Sequence, residues 1–396
     1  MRVRFGELST DEERERERMC TSGREAWASL RAGDDARACE LMDAIDARLA
    51  LSVQRDDEQP RGVPHAELSA FEACAWPLAE LLLAQAPMDL NYTLSLGRSA
   101  VPLELALAQV RTSHQVELER ASLRAGFGRG HLLELTLGVP GGTGGENTQN
   151  AAENLVRAVL GDRVFETWVG AVHVTAAPRG GPLRVLDARA PRSSLHLREL
   201  FDTVAAATCG VLRGLPAAFA VGEPRRSTAS DTTSSQVADA AREDWTLLEV
   251  EPVADAGGVR KDDLVLASTC TPELLRCYLD GSPCASRRFS RSGEQFVFVS
   301  YVDDERTMRH RVARRTAIET ALAECVAGCG AVTGVGFGVK TTYVDLALRH
   351  LETGLPRLVS KLRDVGAPLN TFIQFFDSEL ADEWLSIWPD SRLPEG

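Results

Sequence analysis

Lysine is almost missing from this chain. Lys261, Lys340 and Lys361 are the only three in 396 residues, and arginine supplies the rest of the 44 basic groups. Alongside abundant alanine, this bias reads as GC-rich, bacterial-like coding, so no single arginine counts as a functional signal. Positive charge is short overall. The formal net charge of −13 argues against nucleic acid as a partner, because binders of that class carry a basic excess. Long apolar runs are lacking too, and nothing approaches the roughly 18 apolar residues of a membrane span. Arg2, Arg4 and Glu7 interrupt any leader-like start. Nine cysteines are present without a CxxC pair or a Cys/His cluster at finger spacing. Cys270, Cys277 and Cys284 recur every seven residues, and Cys325 and Cys329 stand four apart, but neither set has a partner that completes a zinc site. No metal and no cofactor is therefore expected. The cysteines read as small buried residues in a reducing cytoplasm.

The remaining composition is ordinary for a globular chain, with 44% hydrophobic and 26% charged residues. The expected fold class is α+β, in a helical N-terminal region followed by two α/β units. Residues 1–86 read as helical: helices end at Gly33, restart at Asp34, and resume over about Glu67–Gln85. Residues 87–221 read as a central α+β domain. It has a strand at His131–Leu137, a helix at about Asn150–Leu160, a strand pair at Trp168–Val174 and Leu183–Leu186, and a helix at about Leu197–Arg213. Residues 222–244 hold Ser227-Thr-Ala-Ser-Asp-Thr-Thr-Ser-Ser235, which has nothing to bury and reads as a linker.

Residues 245–396 carry the clearest pattern. Strand Phe296–Tyr301, a helix from about Arg309 to Val326, a hairpin of Val332–Phe337 and Thr341–Leu348, a helix at about Leu355–Val365 and strand Thr371–Phe376 make βαββαβ. That is the ferredoxin-like plan. Pro356 suits the first turn of its helix, and Asp377 or Ser378 can cap a last helix carrying Leu380, Trp384, Ile387 and Trp388.

In such a plan the helices cover one sheet face. Tyr343 and Asp345 share a face of one strand, and Phe372, Gln374 and Phe376 share a face of another. If the two sets meet, the open face carries aromatics beside polar groups, as a partner surface does. Arg309, Arg311 and Arg314 add positive charge at a helix start, near Arg287, Arg288 and Arg291. The leading expectation is a non-enzymatic protein-binding, adaptor or inhibitor protein of the immunity type, using that face and its arginine flank on a protein partner.

The alternative rests on the loop 138–149. Gly141, Gly142, Thr143, Gly144 and Gly145 lie between an expected strand and an expected helix, where backbone N–H groups can cradle a small anion. The loop lacks the Lys-Ser/Thr pair of a P-loop and does not match GxGxxG. It supports an enzyme or sensor binding a small anionic ligand. Asp377, Glu379, Asp382 and Glu383 read as a stabilising acidic helix start. None of the seven histidines stands in a recognisable nucleophile motif.

Overall fold

The computed structural model describes residues 5, 8, 10–54, 63–140, 145–177, 195–215, 245–252, 261–302 and 307–389. It is an α+β protein in two compact units, residues 9–211 and residues 212–396 with 1–8. The first unit takes in both regions that the sequence divides at residue 86. The expected linker, 222–244, and the expected strand Leu183–Leu186 lie outside the described residues. No helix among the described residues is long and apolar enough to cross a membrane.

The first unit opens with α1 (Thr10–Arg31) and α2 (Asp35–Asp43), the latter capped by the Asp34 carboxylate accepting from Arg37 N–H. Strands then replace expected helix: β1 (Leu49–Gln54) and β2 (His65–Ala70) precede α3 (Trp76–Leu83), β3 (Thr93–Leu96) and α4 (Leu103–His114). The reason is a period of two. Leu49, Leu51 and Val53 alternate with Ala50, Ser52 and Gln54, and Ala66, Leu68 and Ala70 with His65, Glu67 and Ser69. β2 lies between an antiparallel β1 and a parallel β3. Leu49, Leu51, Ala66 and Leu68 are buried on the face that packs on α2 and α3.

A second sheet in this unit comes from β4 (Ser122–Phe127), β5 (Leu133–Pro140), β6 (Val169–Ala177) and β7 (Leu195–His196), ordered β6-β5-β4-β7. Between β5 and β6 run α5 (Glu146–Leu160) and α6 (Asp162–Trp168), and α7 (Leu200–Gly214) follows β7. β5 and β6 are direct parallel neighbours. Ala151, Ala152, Leu155, Val156 and Val159 make the buried stripe of α5.

The second unit contains β8 (Thr246–Glu249), β9 (Leu264–Thr269), α8 (Pro272–Leu279), β10 (Gln295–Val302), α9 (Met308–Val326), β11 (Gly330–Gly338), β12 (Thr341–Leu348), α10 (Leu351–Asp364), β13 (Thr371–Phe375) and β14 (Trp384–Ser386). Its sheet is antiparallel throughout, in the order β14-β13-β10-β12-β11-β9-β8. The β10–β13 stretch falls within a few residues of where its sequence places it. Two details differ. α10 starts earlier, so Pro356 lies inside the helix rather than in its first turn. The expected last helix does not form: a 3₁₀ turn, Ser378–Leu380, leads to edge strand β14 instead. Leu380 and Ile387 are buried there all the same, against the core under α9 and α10.

That core fills one face of the sheet with Val297, Val299, Val344, Leu346, Ile373 and Phe375. The opposite face is filled as well. Phe296, Phe298, Tyr343, Ala347 and Phe376 pack with Leu274, Leu275 and Cys277 of α8 and with Cys284 and Phe289 of the segment after it. A sheet sandwiched this way needs apolar side chains on both faces of its central strands, and every residue of β12 and β13 is buried.

Candidate functional site: a polar cleft in the first unit

The residues expected to form an open partner face do come together, but they are not open. In register, Phe298 stands between Asp345 and Gln374, and Ser300 between Tyr343 and Phe372. Tyr343, Asp345, Phe372, Gln374 and Phe376 therefore share one face, and all five are buried. Tyr278 of α8 closes over them, its ring centroid 5.6 Å from Phe298 and 5.1 Å from Phe376. The polar members have internal partners. Gln374 Oε1 accepts from Ser300 Oγ at 3.2 Å, and Asp345 is ion-paired with the buried Lys261. The Tyr343 hydroxyl donates to Asp263, and burial, reinforced by that carboxylate, pushes its pKa well up.

The arginine group divides. Arg309 is exposed and Arg314 is half-buried. Arg311 points inward, where its guanidinium donates to the carbonyls of Gly338 and Thr341, both at 3.1 Å, and so braces the hairpin. Arg288 is wholly buried. Of the glycine loop, residues 141–144 lie outside the described residues; Gly145 precedes α5, and its carbonyl accepts from the Thr148 and Gln149 amides. Asp377, expected at an acidic helix start, is half-buried and accepts from Ser286 N at 2.6 Å; desolvation raises its pKa against its bonds to Ser286. Glu383 accepts from Phe5 N at 3.0 Å. Among the described residues no group of three or more His, Cys, Asp or Glu is placed to hold a metal ion.

The arrangement with most chemical capacity lies elsewhere, on the second face of the β1–β2–β3 sheet. In register, Ser52 and Gln54 of β1, His65, Glu67 and Ser69 of β2, and Thr93 and Ser95 of β3 share that face. It is polar apart from Ala50. It does not simply face water: α4 and α5 stand across from part of it and enclose a cavity of about 720 Å³. Ser52, Gln54, His65 and Glu67 form one wall, Gln109, Thr112, His114 and Asn154 the other, and Arg98 and Ser99 line it as well.

Three features hold this cleft in shape. His114 is pinned between two asparagines. Asn147 Nδ2 donates to the His114 carbonyl at 2.8 Å, which turns Asn147 Oδ1 toward His114 Nδ1 at 3.2 Å, and Asn154 Nδ2 stands 2.8 Å from Nε2. Both ring nitrogens of His114 therefore have an asparagine side chain within hydrogen-bonding distance. Across the sheet, His65 Nε2 and Ser95 Oγ are 3.0 Å apart. Finally, the loop carrying Arg98 is stitched to the α5–α6 junction: Arg98 N donates to Asp162 Oδ2 at 2.7 Å, Asp162 N to Arg98 O at 3.0 Å, and Val101 N to Ala158 O at 2.9 Å.

Gly161 makes that junction possible. Its φ is +78°, and a Cβ there would stand 3.0 Å from Ala100 N and 3.1 Å from Arg98 O, both backbone atoms. Gly161→Ala is expected to cost about 1–3 kcal/mol, from left-handed strain plus crowding of a loop that cannot step aside. Urea unfolding with a midpoint unchanged from wild type would contradict this.

Glu67 is the acidic side chain that lines the cavity. It is 7% exposed, and its carboxylate accepts from Ser69 Oγ at 2.8 Å. A carboxylate can accept several hydrogen bonds, so Glu67 can take donors from a molecule in the cavity that it lines. The site is hard to read from sequence because alanine and leucine suit a helix as well as a strand; the alternation of His65, Glu67 and Ser69 with Ala66, Leu68 and Ala70 is the signal that marks it. Compared with known proteins, the chain matches no family model, no curated protein and no solved structure.

Proposed function

We propose that this chain is a binding protein for a small hydrophilic molecule, held in the cleft between the β1–β2–β3 sheet and α4–α5. The buried Glu67 carboxylate facing that cavity carries the reading. It favours a ligand with an ammonium or several hydroxyl donors over the anion expected from the glycine loop, because an anion near it would be repelled. Arg98 and His114 add hydrogen-bonding groups at the same cavity. A protein partner docked on Tyr343, Asp345, Phe372, Gln374 and Phe376 is not carried forward, since those side chains are buried.

The second unit then reads as scaffold. Its stretch β10-α9-β11-β12-α10-β13 has the sheet order β13-β10-β12-β11, with antiparallel neighbours. This order supports a ferredoxin-like core, extended by β14 on one side and by β9 and β8 on the other.

The test is a thermal-shift screen of the full chain against free amino acids, polyamines and neutral sugars, followed by calorimetric titration of the strongest stabiliser. Glu67→Gln keeps the shape and removes the charge. It is expected to weaken binding of an ammonium-bearing probe at least about tenfold, or about 1.4 kcal/mol. Equal affinity of wild type and Glu67→Gln for every stabilising probe would sink the proposal, as would a panel with no stabiliser.

A further inference from the structure

We infer that the cleft takes a zwitterion, a small molecule that carries both an ammonium and a carboxylate as a free amino acid does. This rests on the binding reading above and narrows it. Two opposite charges line one cavity. Among its described lining residues, Glu67 supplies a carboxylate and Arg98 a guanidinium. Apart from His65 and His114, the other side chains of that lining are uncharged.

The fold sets the two charges at one end of neighbouring strands. β2 and β3 run parallel, with Glu67 level with Ser95 and Leu68 with Leu96. Gly97 N then donates to Leu68 O at 2.8 Å, which closes the end of β3 against β2 just past Glu67. Gly97 takes φ +70°, and a Cβ there would stand 2.6 Å from the Trp76 ring, so the turn at this point needs glycine. Arg98 follows directly. Its main chain is anchored by Asp162, which is 6% exposed: Oδ2 accepts from Arg98 N at 2.7 Å and Oδ1 from Arg157 Nη1 at 3.3 Å. Both oxygens of that buried acid are thus taken by other donors. The exposed Arg98 side chain is the positive member of the cavity lining.

A ligand of one sign meets one of these groups unfavourably. An amine without a carboxylate brings a second cation to Arg98, and an acid without an ammonium brings a second anion to Glu67. A zwitterion satisfies both. Its ammonium donates to the Glu67 carboxylate, and its carboxylate accepts from the planar fork of Arg98, so each end makes a charge-assisted hydrogen bond. Gln54, Gln109 and Thr112 of the same lining suit a polar remainder over an apolar one.

The experiment titrates the full chain calorimetrically with the free amino acids. It then uses two analogues of the tightest binder, its decarboxylated amine and its deaminated acid. Wild type is expected to hold the amino acid at least about tenfold more tightly than either analogue. Arg98→Gln should weaken the amino acid at least about tenfold more than it weakens the amine, and Glu67→Gln at least about tenfold more than it weakens the acid. An amine that binds wild type as tightly as its amino acid would overturn the zwitterion, as would Arg98→Gln weakening both alike. If that amine still depends on Glu67, the binding reading stands without it. A chain that binds none of the amino acids and neither a polyamine nor a sugar would bring down both. The wild-type comparison of the three probes decides the matter even if a variant fails to fold.

Discussion

Lys261→Met is expected to cost about 3–5 kcal/mol of folding stability, seen as a lower denaturant midpoint at unchanged slope. The lysine is 1% exposed, in a backbone conformation with φ +62°. Its ammonium pairs with the buried Asp345 and sits 4.8 Å from the Phe298 ring centroid, 5.0 Å from Tyr343 and 5.2 Å from Phe376. Methionine fills much of the same volume but leaves Asp345 charged against the negative faces of those rings. The double variant Lys261→Met/Asp345→Leu should recover most of the loss, because a buried ion pair replaced by apolar groups of similar volume is often neutral. Burial pulls the lysine pKa below its ordinary value, with Asp345 opposing. A lysine with a depressed folded pKa favours the folded chain only above its unfolded pKa. That contribution is lost as pH falls through the folded value, so at neutral pH the surrounding rings and Asp345 must offset a desolvation cost. A single-variant loss below about 1 kcal/mol would mean that water reaches the pair.

Arg311→Ala should cost about 2–4 kcal/mol, from several buried acceptors losing their donor at once. The guanidinium spans the β11–β12 turn. It donates to Gly338 O and Thr341 O at 3.1 Å, Val339 O at 3.3 Å and Thr342 Oγ1 at 3.4 Å, and it lies 5.7 Å from the Phe337 ring centroid. Lysine at the position should recover little, since a single ammonium cannot present a planar fork to acceptors on both sides of a turn. Arg309, exposed on the same helix, supplies the contrast: Arg309→Ala should stay within about 0.5 kcal/mol. Hydrogen exchange reports the difference locally, as lost protection of the hairpin amides in Arg311→Ala only. Equal exchange in the two variants would refute the assignment.

Arg311 also shows where sequence reading of the second unit stopped. Apolar spacing places α9 correctly and picks out Ile318, Leu322 and Val326, which are buried. At the first turn the same spacing selects Val312, which is 38% exposed, while its charged neighbour Arg311 goes inside. Hydrophobicity cannot signal a side chain buried for its hydrogen bonds. The aromatic strands were legible for the same reason that they form: alternating large apolar residues have only a sheet to pack on. What covered them was not legible. α8 is short, and its Leu274, Leu275 and Cys277 become informative once the sheet face they fill is known. In the first unit the failure was one of period. His65, Glu67 and Ser69 alternate with alanine and leucine, residues equally at home in a helix, and strand pairing across residues 55–62 is a tertiary fact. The cleft depends on that pairing, so neither Glu67 nor His65 stood out in the sequence.

The most direct test of the cleft is hydrogen exchange of the full chain with and without the tightest-binding probe from the thermal-shift panel. Slowed exchange confined to β1, β2, the 97–101 loop and α4, and absent in Glu67→Gln, is the predicted result. Protection centred on the second unit, or equal protection in Glu67→Gln, would contradict it.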